Sequence, residues 1–136
     1  GILRAFDGVV PYRLEMQARL ACDGYKNLYD FWNHLIFDEL TKDDGEVLNL
    51  ASKEYSKAVE PYVTERVRFV TCTFGTYVNG KLKVKATEAK MARGAMVRLC
   101  AENNIQSVDE VKAFNVRGYV YHGELSSETE FVFVKE

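Results

Sequence analysis

Asn79-Gly80 constrains this chain more than any other pair of residues in it. Both positions of an Asn-Gly pair tolerate positive φ, so between two β-rich arms the pair closes a two-residue hairpin and leaves little freedom of register. The arms here run from Glu65 to Lys85. With the turn at Asn79-Gly80, Val78 opposes Lys81, Thr76 opposes Lys83 and Phe74 opposes Lys85, which puts Lys81, Lys83 and Lys85 on one strand face. An antiparallel pair is thus required near the middle of the chain.

Elsewhere the hydrophobic period changes. Tyr12, Leu14, Met16, Ala18 and Leu20 alternate with Arg13, Glu15, Gln17 and Arg19, which predicts a half-buried strand. After the turn signal Asp23-Gly24, Leu28, Phe31, Trp32, Leu35, Ile36 and Leu40 form one stripe of an amphipathic helix that ends near Asp43-Asp44-Gly45. Glu46 to Leu50 reads as a short buried strand. Ser52 then caps a short helix through Val59, ended by Pro61. Thr87 to Asn103 is a second helix with Ala92, Ala95, Met96 and Leu99 on its core face. Its other face carries Gly94, Val97 and Ala101 with Lys90 and Arg93 at the edge, either because the helix is buried on both sides of a mixed sheet or because the face is surface left by a missing segment. Ser107-Val108-Asp109-Glu110 is a capping box that opens a third helix, and Gly118–His122 and Glu130–Lys135 are strands. The expected fold class is α+β: a mixed sheet with hairpins packed against three to four helices, forming one domain or part of a larger one.

Composition narrows the function classes. A chain of 136 residues with 47% hydrophobic residues is long enough to hold one core without staples. Eighteen Lys and Arg against 20 Asp and Glu leave a net charge of −2, so no global basic field attracts polyanions and any such contact needs a local patch. Cys22, Cys72 and Cys100 are odd in number and widely spaced, which argues against a disulfide framework and fits a reducing, cytoplasmic setting. Two separated histidines and three separated cysteines give no ligand set for iron or zinc, so neither a metal nor a cofactor is expected. No run approaches the roughly 18 apolar residues of a membrane span. Gly1 to Gly8 contain neither an initiator Met nor a helix cap and read as the interior of a longer chain.

Several strings carry a resemblance: Leu3-Arg4, Pro11-Tyr12-Arg13-Leu14-Glu15-Met16, Leu28-Tyr29-Asp30-Phe31-Trp32, Asn49-Leu50-Ala51-Ser52-Lys53-Glu54-Tyr55, Lys90-Met91-Ala92-Arg93-Gly94 and Phe114-Asn115-Val116-Arg117-Gly118-Tyr119. In this order the chain resembles the YaaA family of bacterial peroxide-stress proteins, from its first residues almost to its last. The resemblance implies that residues 1–136 are the C-terminal half of the family fold, the N-terminal half being absent from this chain. It also implies a cytoplasmic α+β protein with a basic cleft that binds DNA and limits peroxide damage by keeping free intracellular iron low. The family's helix-hairpin-helix element lies in the N-terminal half, which weakens the case for DNA binding by this chain alone. Gln17 stands where the family often has glycine, and Met91 where it often has a second lysine, removing one positive charge from the cleft.

Arg4, Arg13, Lys90 and Arg93 are the cations inside these strings, and arginine's fork suits phosphate or carboxylate. Lys90 and Arg93 share a helix face, and Arg13 lies on the polar side of its strand with Glu15, next to Tyr12. The alternative is an Arg13–Glu15 pair on a solvated strand and ordinary surface charges on the helix. Asn49, Ser52, Tyr55 and Lys57 follow a buried strand and open a helix, where α/β proteins present ligand-binding groups; capping competes with ligand contact for Ser52. No G-x-S-x-G elbow surrounds Ser52 and neither His34 nor His122 is placed beside it, so a serine triad is disfavoured. The candidate ligand or polyanion site is therefore Arg4, Tyr12, Arg13, Glu15, Asn49, Ser52, Tyr55, Lys57, Lys90 and Arg93. Its ligand is DNA or another polyanion, or a small phosphorylated or carboxylated molecule on which the protein acts as a binder or an enzyme. Arg13, Glu15, Lys90 and Arg93 are expected to line one concavity walled by Asn49 or Tyr55. The lysine stripe is either a phosphate track or a guarded strand edge. The Gly94, Val97, Ala101 face is expected to be exposed and to drive self-association.

Overall fold

The structure, a computed structural model, describes residues 7–10, 15–19, 21, 23–43 and 45–135. Its framework is a mixed sheet in which Glu46–Asn49 (β1), Arg68–Val78 (β2) and Glu130–Lys135 (β6) run parallel. Tyr119–Tyr121 (β5) pairs antiparallel with β6, and Asn115–Val116 (β4) with β5. The order is β1-β2-β6-β5-β4, with Lys81–Lys83 (β3) paired antiparallel to β2 off this path.

The central strands owe their burial to aromatic and β-branched side chains of period two. Val70, Cys72 and Phe74 of β2 and Phe131 and Phe133 of β6 face the helix Ala86–Glu102 (α4), which returns Ala89, Ala92 and Met96. Phe74 stacks on Phe133 at 5.2 Å between ring centroids and meets Phe114 and Tyr119 edge-on at 5.8 and 5.5 Å. Each such fully buried aromatic contributes on the order of 1.5–3 kcal/mol of transfer free energy. Alanines on α4 let the helix sit close to the sheet, while the alternate residues of β2, Thr71 and Thr73, point to the other face.

The hairpin forms in the expected register, Val78 opposite Lys81 and Thr76 opposite Lys83, with φ of 53° at Asn79 and 73° at Gly80. Pairing stops at Lys83, so Lys85 does not continue the stripe; it is the N-cap residue of α4. The capping box is present, Ser107 accepting from the Asp109 N–H and Glu110 from the Ser107 N–H, and it opens a 3-10 helix over Val108–Ala113.

Three expectations need correction. Of the strand expected from Tyr12 to Leu20, the described residues 15–19 contain a turn instead, the Ala18 N–H bonding Glu15 O at 3.0 Å. Burial still alternates: Met16 is buried against Leu28 and Ala58 while Glu15, Gln17 and Arg19 are exposed, because a turn can present alternate side chains as a strand does. The helix expected over Leu28–Leu40 is two, Leu28–Trp32 (α1) and Leu35–Thr41 (α2), broken at Asn33, whose φ of 43° leaves the helical region. The helix after Ser52 is a single turn, Lys53–Ser56 (α3), followed by a 3-10 turn at Glu60–Tyr62. Ser52 occupies its N-cap position, but the side chain makes no capping bond; its carbonyl receives the Tyr55 and Ser56 N–H groups.

Candidate functional site

The ends of β1 and the start of α4 frame two adjoining grooves. One, of about 640 Å³, is lined by Leu50, Ser52, Tyr55, Lys90, Arg93 and Val97, with Val84 at its margin. The second, of about 560 Å³, runs beside β2 and includes Asn49, Lys53, Glu60, Thr71, Phe74 and Glu130. Arg93 and Val84 belong to both.

Lys90 is exposed and Arg93 half-buried, one helical turn apart, with Arg93 at the edge of the face of α4 that buries Ala89 and Met96. Among the described residues neither forms an ion pair, and Arg93 Nε is buried without a hydrogen-bond partner. A buried unpaired donor costs about 1–3 kcal/mol, and an acceptor in the groove, water included, would relieve that cost. Ser52 and Tyr55 also line this groove, and Tyr55 is itself exposed. Leu50, Val84 and Val97 add apolar wall to the groove.

Asn49 is committed elsewhere. Its buried amide donates to Thr71 Oγ1 at 3.1 Å and accepts the Ala51 N–H at 3.1 Å, so it fixes the chain's exit from β1. Lys57 lies over the Tyr29 ring at 5.2 Å and lines neither groove; nor does Glu15, which is exposed. Arg4, Tyr12 and Arg13 lie outside the described residues. Of the expected shared concavity, Lys90 and Arg93 thus meet Ser52 and Tyr55, Asn49 stands in the adjoining groove, and Glu15 is absent from it. No anion site rests on the N-terminus of α3, since one turn aligns too few peptide dipoles.

Sequence reasoning missed the polar wall of the second groove. Lys53 pairs with Glu60, and Ser56 donates to Glu60 Oε1 at 2.7 Å; the Lys53 bond holds the Glu60 carboxyl below the usual carboxylate range, with Ser56 adding to it. Thr73 donates to Glu130 at 2.6 Å. The alternation of Thr71 and Thr73 with Val70, Cys72 and Phe74 was the available signal for this wall. The Cys72 thiol, pushed up to about 12 by burial, is held protonated and unreactive at neutral pH. Among the described residues no group of three or more His, Cys, Asp or Glu is placed to hold a metal, and no helix is long and apolar enough to cross a membrane.

Comparison with known proteins gives this geometry its family. The family model for the peroxide stress protein YaaA matches residues 1–125. A UPF0246 protein of Limosilactobacillus reuteri is 53% identical over 133 residues, 98% of this chain and 53% of that protein. One from Pediococcus pentosaceus is 50% identical over 135 residues, 99% of this chain and 54% of that protein. One from Clostridioides difficile is 43% identical over 136 residues, 100% of this chain and 55% of that protein. The chain therefore spans about half the length of the curated relatives it matches. With a family match over most of its residues and such identities along nearly its whole length, it belongs to the YaaA family of peroxide stress proteins.

Proposed function

We propose that this chain serves a cytoplasmic response to peroxide in which the groove of Ser52, Tyr55, Lys90 and Arg93 binds DNA or another polyanion, and that the protein limits damage by lowering free intracellular iron. The observation that carries the binding part is Arg93, with a buried and unpartnered Nε beside an unpaired Lys90 in an open groove. The iron part rests on family membership alone.

A second reading has its own observation. Leu50, Val84, Ala86 and Val97 make the groove walls apolar, and its volume falls in the roughly 300–1,000 Å³ range of small-ligand sites. These walls favour a compact organic anion with a phosphate or carboxylate head on Lys90 and Arg93, bound or chemically transformed there.

Duplex DNA titrated over a salt series separates the two. Binding through the groove falls log-linearly with salt at about −0.9 per neutralised phosphate, and Lys90→Ala with Arg93→Ala flattens the slope by about 2. An unchanged slope moves the contact elsewhere. Absence of DNA binding at low salt, with thermal stabilisation by inorganic phosphate that Arg93→Ala abolishes, selects the second reading.

A further inference from the structure

The β4–β5 connection repeats the turn that closes β2 on β3, with one unexpected residue in it. Val116 opposes Tyr119, so Arg117-Gly118 is a two-residue loop, and both residues have positive φ, 60° and 79°. Asn79 and Gly80 do the same with 53° and 73°. The first position of such a turn suits Asn, Asp or Gly, because a larger side chain there brings Cβ against the following carbonyl oxygen. Arg117 is held in a conformation that its residue type disfavours.

That turn lays the exposed Arg117 against α4, where its Nη2 donates to Met91 Sδ at 3.5 Å. A thioether is a weak acceptor. Among the described residues no carboxylate pairs with Arg117, and Glu88, one turn before Met91 on α4, is taken by Lys135 at 3.3 Å. A charged donor therefore faces a poor acceptor at the surface.

Met91 also differs from the chain's other two methionines. Met16 and Met96 are buried, whereas Met91 is 39% exposed. Burial raises the pKa of the Cys72 and Cys100 thiols, which keeps both protonated at neutral pH, and peroxide attacks the thiolate. Among the described sulfur groups, Met91 is the one that a small oxidant in solvent meets first.

We propose that Met91 is an oxidation site for hydrogen peroxide, the stress named in the family's description, and that Arg117 is the receptor for the sulfoxide it forms. The Sδ lone pair attacks one peroxide oxygen. The S–O bond forms as the O–O bond breaks, and the proton on the attacked oxygen passes to the departing hydroxide, which leaves as water. Sulfur gives up two electrons and peroxide takes them. The new oxygen is a strong acceptor with partial negative charge, so rotation about the Cγ–Sδ bond lets it take a charge-assisted hydrogen bond from the guanidinium already in place. A weak contact becomes a tie between the β4–β5 hairpin and α4. Dithiol-dependent methionine sulfoxide reductases restore the thioether, the dithiol becoming a disulfide and the oxygen leaving as water. Neither Lys90 nor Arg93 takes part, so the site is separate from anion binding in the groove.

Hydrogen peroxide applied to the intact chain over a dose series tests it. Peptide mass mapping should find the added oxygen on Met91 at least about tenfold ahead of Met16 and Met96. Oxidation at Met91 should raise the melting temperature of the wild type by about 2 °C or more, and methionine sulfoxide reductase should reverse the rise. In Arg117→Asn the same oxidation should give no rise. That variant supplies the residue that the Asn79-Gly80 turn uses, so the hairpin is not put at risk, while its side chain is too short to reach Met91. Met91→Leu should melt at the same temperature before and after treatment. Oxidation of Met16 or Met96 as readily as Met91 overturns the proposal. So does an oxidised wild type that melts no higher than the untreated protein, or a rise that persists in Arg117→Asn or Met91→Leu.

Discussion

The Leu82 side chain fills the space above Gly75: an ideal Cβ built on Gly75 lies 2.7 Å from Leu82 Cδ1 and 2.8 Å from its Cγ. Gly75 is buried in β2 between Phe74 and Thr76, and Leu82 of β3 folds over it. The contact involves Cγ as well as the methyl, so swinging the leucine's tip away does not relieve it. Gly75→Ala should therefore destabilise the protein by about 1–3 kcal/mol through overpacking. In a double-mutant cycle with Leu82→Ala, read by urea unfolding, the two losses should be less than additive by on the order of 1 kcal/mol. Simple additivity would mean that the two side chains do not compete for one space.

Arg93 carries the opposite expectation. Its Nε is buried without a partner, and Met at this position keeps most of the packing volume while removing the unsatisfied donor. Arg93→Met should leave the melting temperature unchanged or raise stability by about 0.5–2 kcal/mol, while abolishing anion binding in the groove. A large loss of stability in the variant would show that the guanidinium is a structural group.

Acid sensitivity is expected at the other end of β2. Arg68 forks onto Asp109 at 2.6 and 3.0 Å and also meets Glu46 at 3.0 Å, tying β1 and β2 to the 3-10 helix of the capping box. The Val108 N–H and then Arg68 hold the Glu46 carboxyl below its usual value of 4.5, and Arg68 with Lys112 holds Asp109 well below 3.8. Depressed carboxyl pKa values mean that this stabilisation is complete above the unfolded values and lost as pH falls through the folded ones. Unfolding free energy measured in urea should therefore be flat from about pH 7 to pH 5 for these groups and decline below about pH 4.5. Asp109→Asn should make the decline shallower. The same acid slope in wild type and variant would remove Asp109 from the account.

What was legible in the sequence was whatever rests on local chemistry. Asn79-Gly80 dictated its turn because two adjacent positive φ values admit few residues, and Ser107 with Glu110 made a box because the spacing of cap and return acceptor is built into the first helical turn. The core stripe of α4 was readable from the period of Ala92, Met96 and their neighbours. Less readable was anything settled by a distant partner. The apolar stripe from Leu28 to Leu40 carries no warning that Asn33 will turn out of the helix. Ser52 looks like a cap by position, yet its hydroxyl makes no capping bond. At the candidate site, Lys90 and Arg93 were found by their shared helix face, and Ser52 and Tyr55 by their place after β1. The Lys53, Ser56 and Glu60 cluster went unseen because the parallel pairing of β1 with β2, which brings that wall beside Thr71 and Thr73, is a long-range event without a local signature.

The outer face of α4 carries the last prediction. Val97 is 55% exposed, Ala101 is exposed, and a Cβ added at Gly94 would meet nothing within 4 Å. Val84 and Tyr55, 53% and 47% exposed, extend this surface across the groove. Small residues allow close approach of a second backbone, and contiguous apolar surface of this kind favours association. The chain should self-associate in the micromolar range, about −8 kcal/mol, through a two-fold contact that sets α4 of one copy against α4 of the next. Val97→Glu would then place two like charges near the symmetry axis and should shift sedimentation to the 15.5 kDa monomer without altering the melting of the monomer itself. A wild-type chain that sediments as a monomer up to millimolar concentration would mean that this face is tolerated in water, the exposed valines being too dispersed to act as one patch.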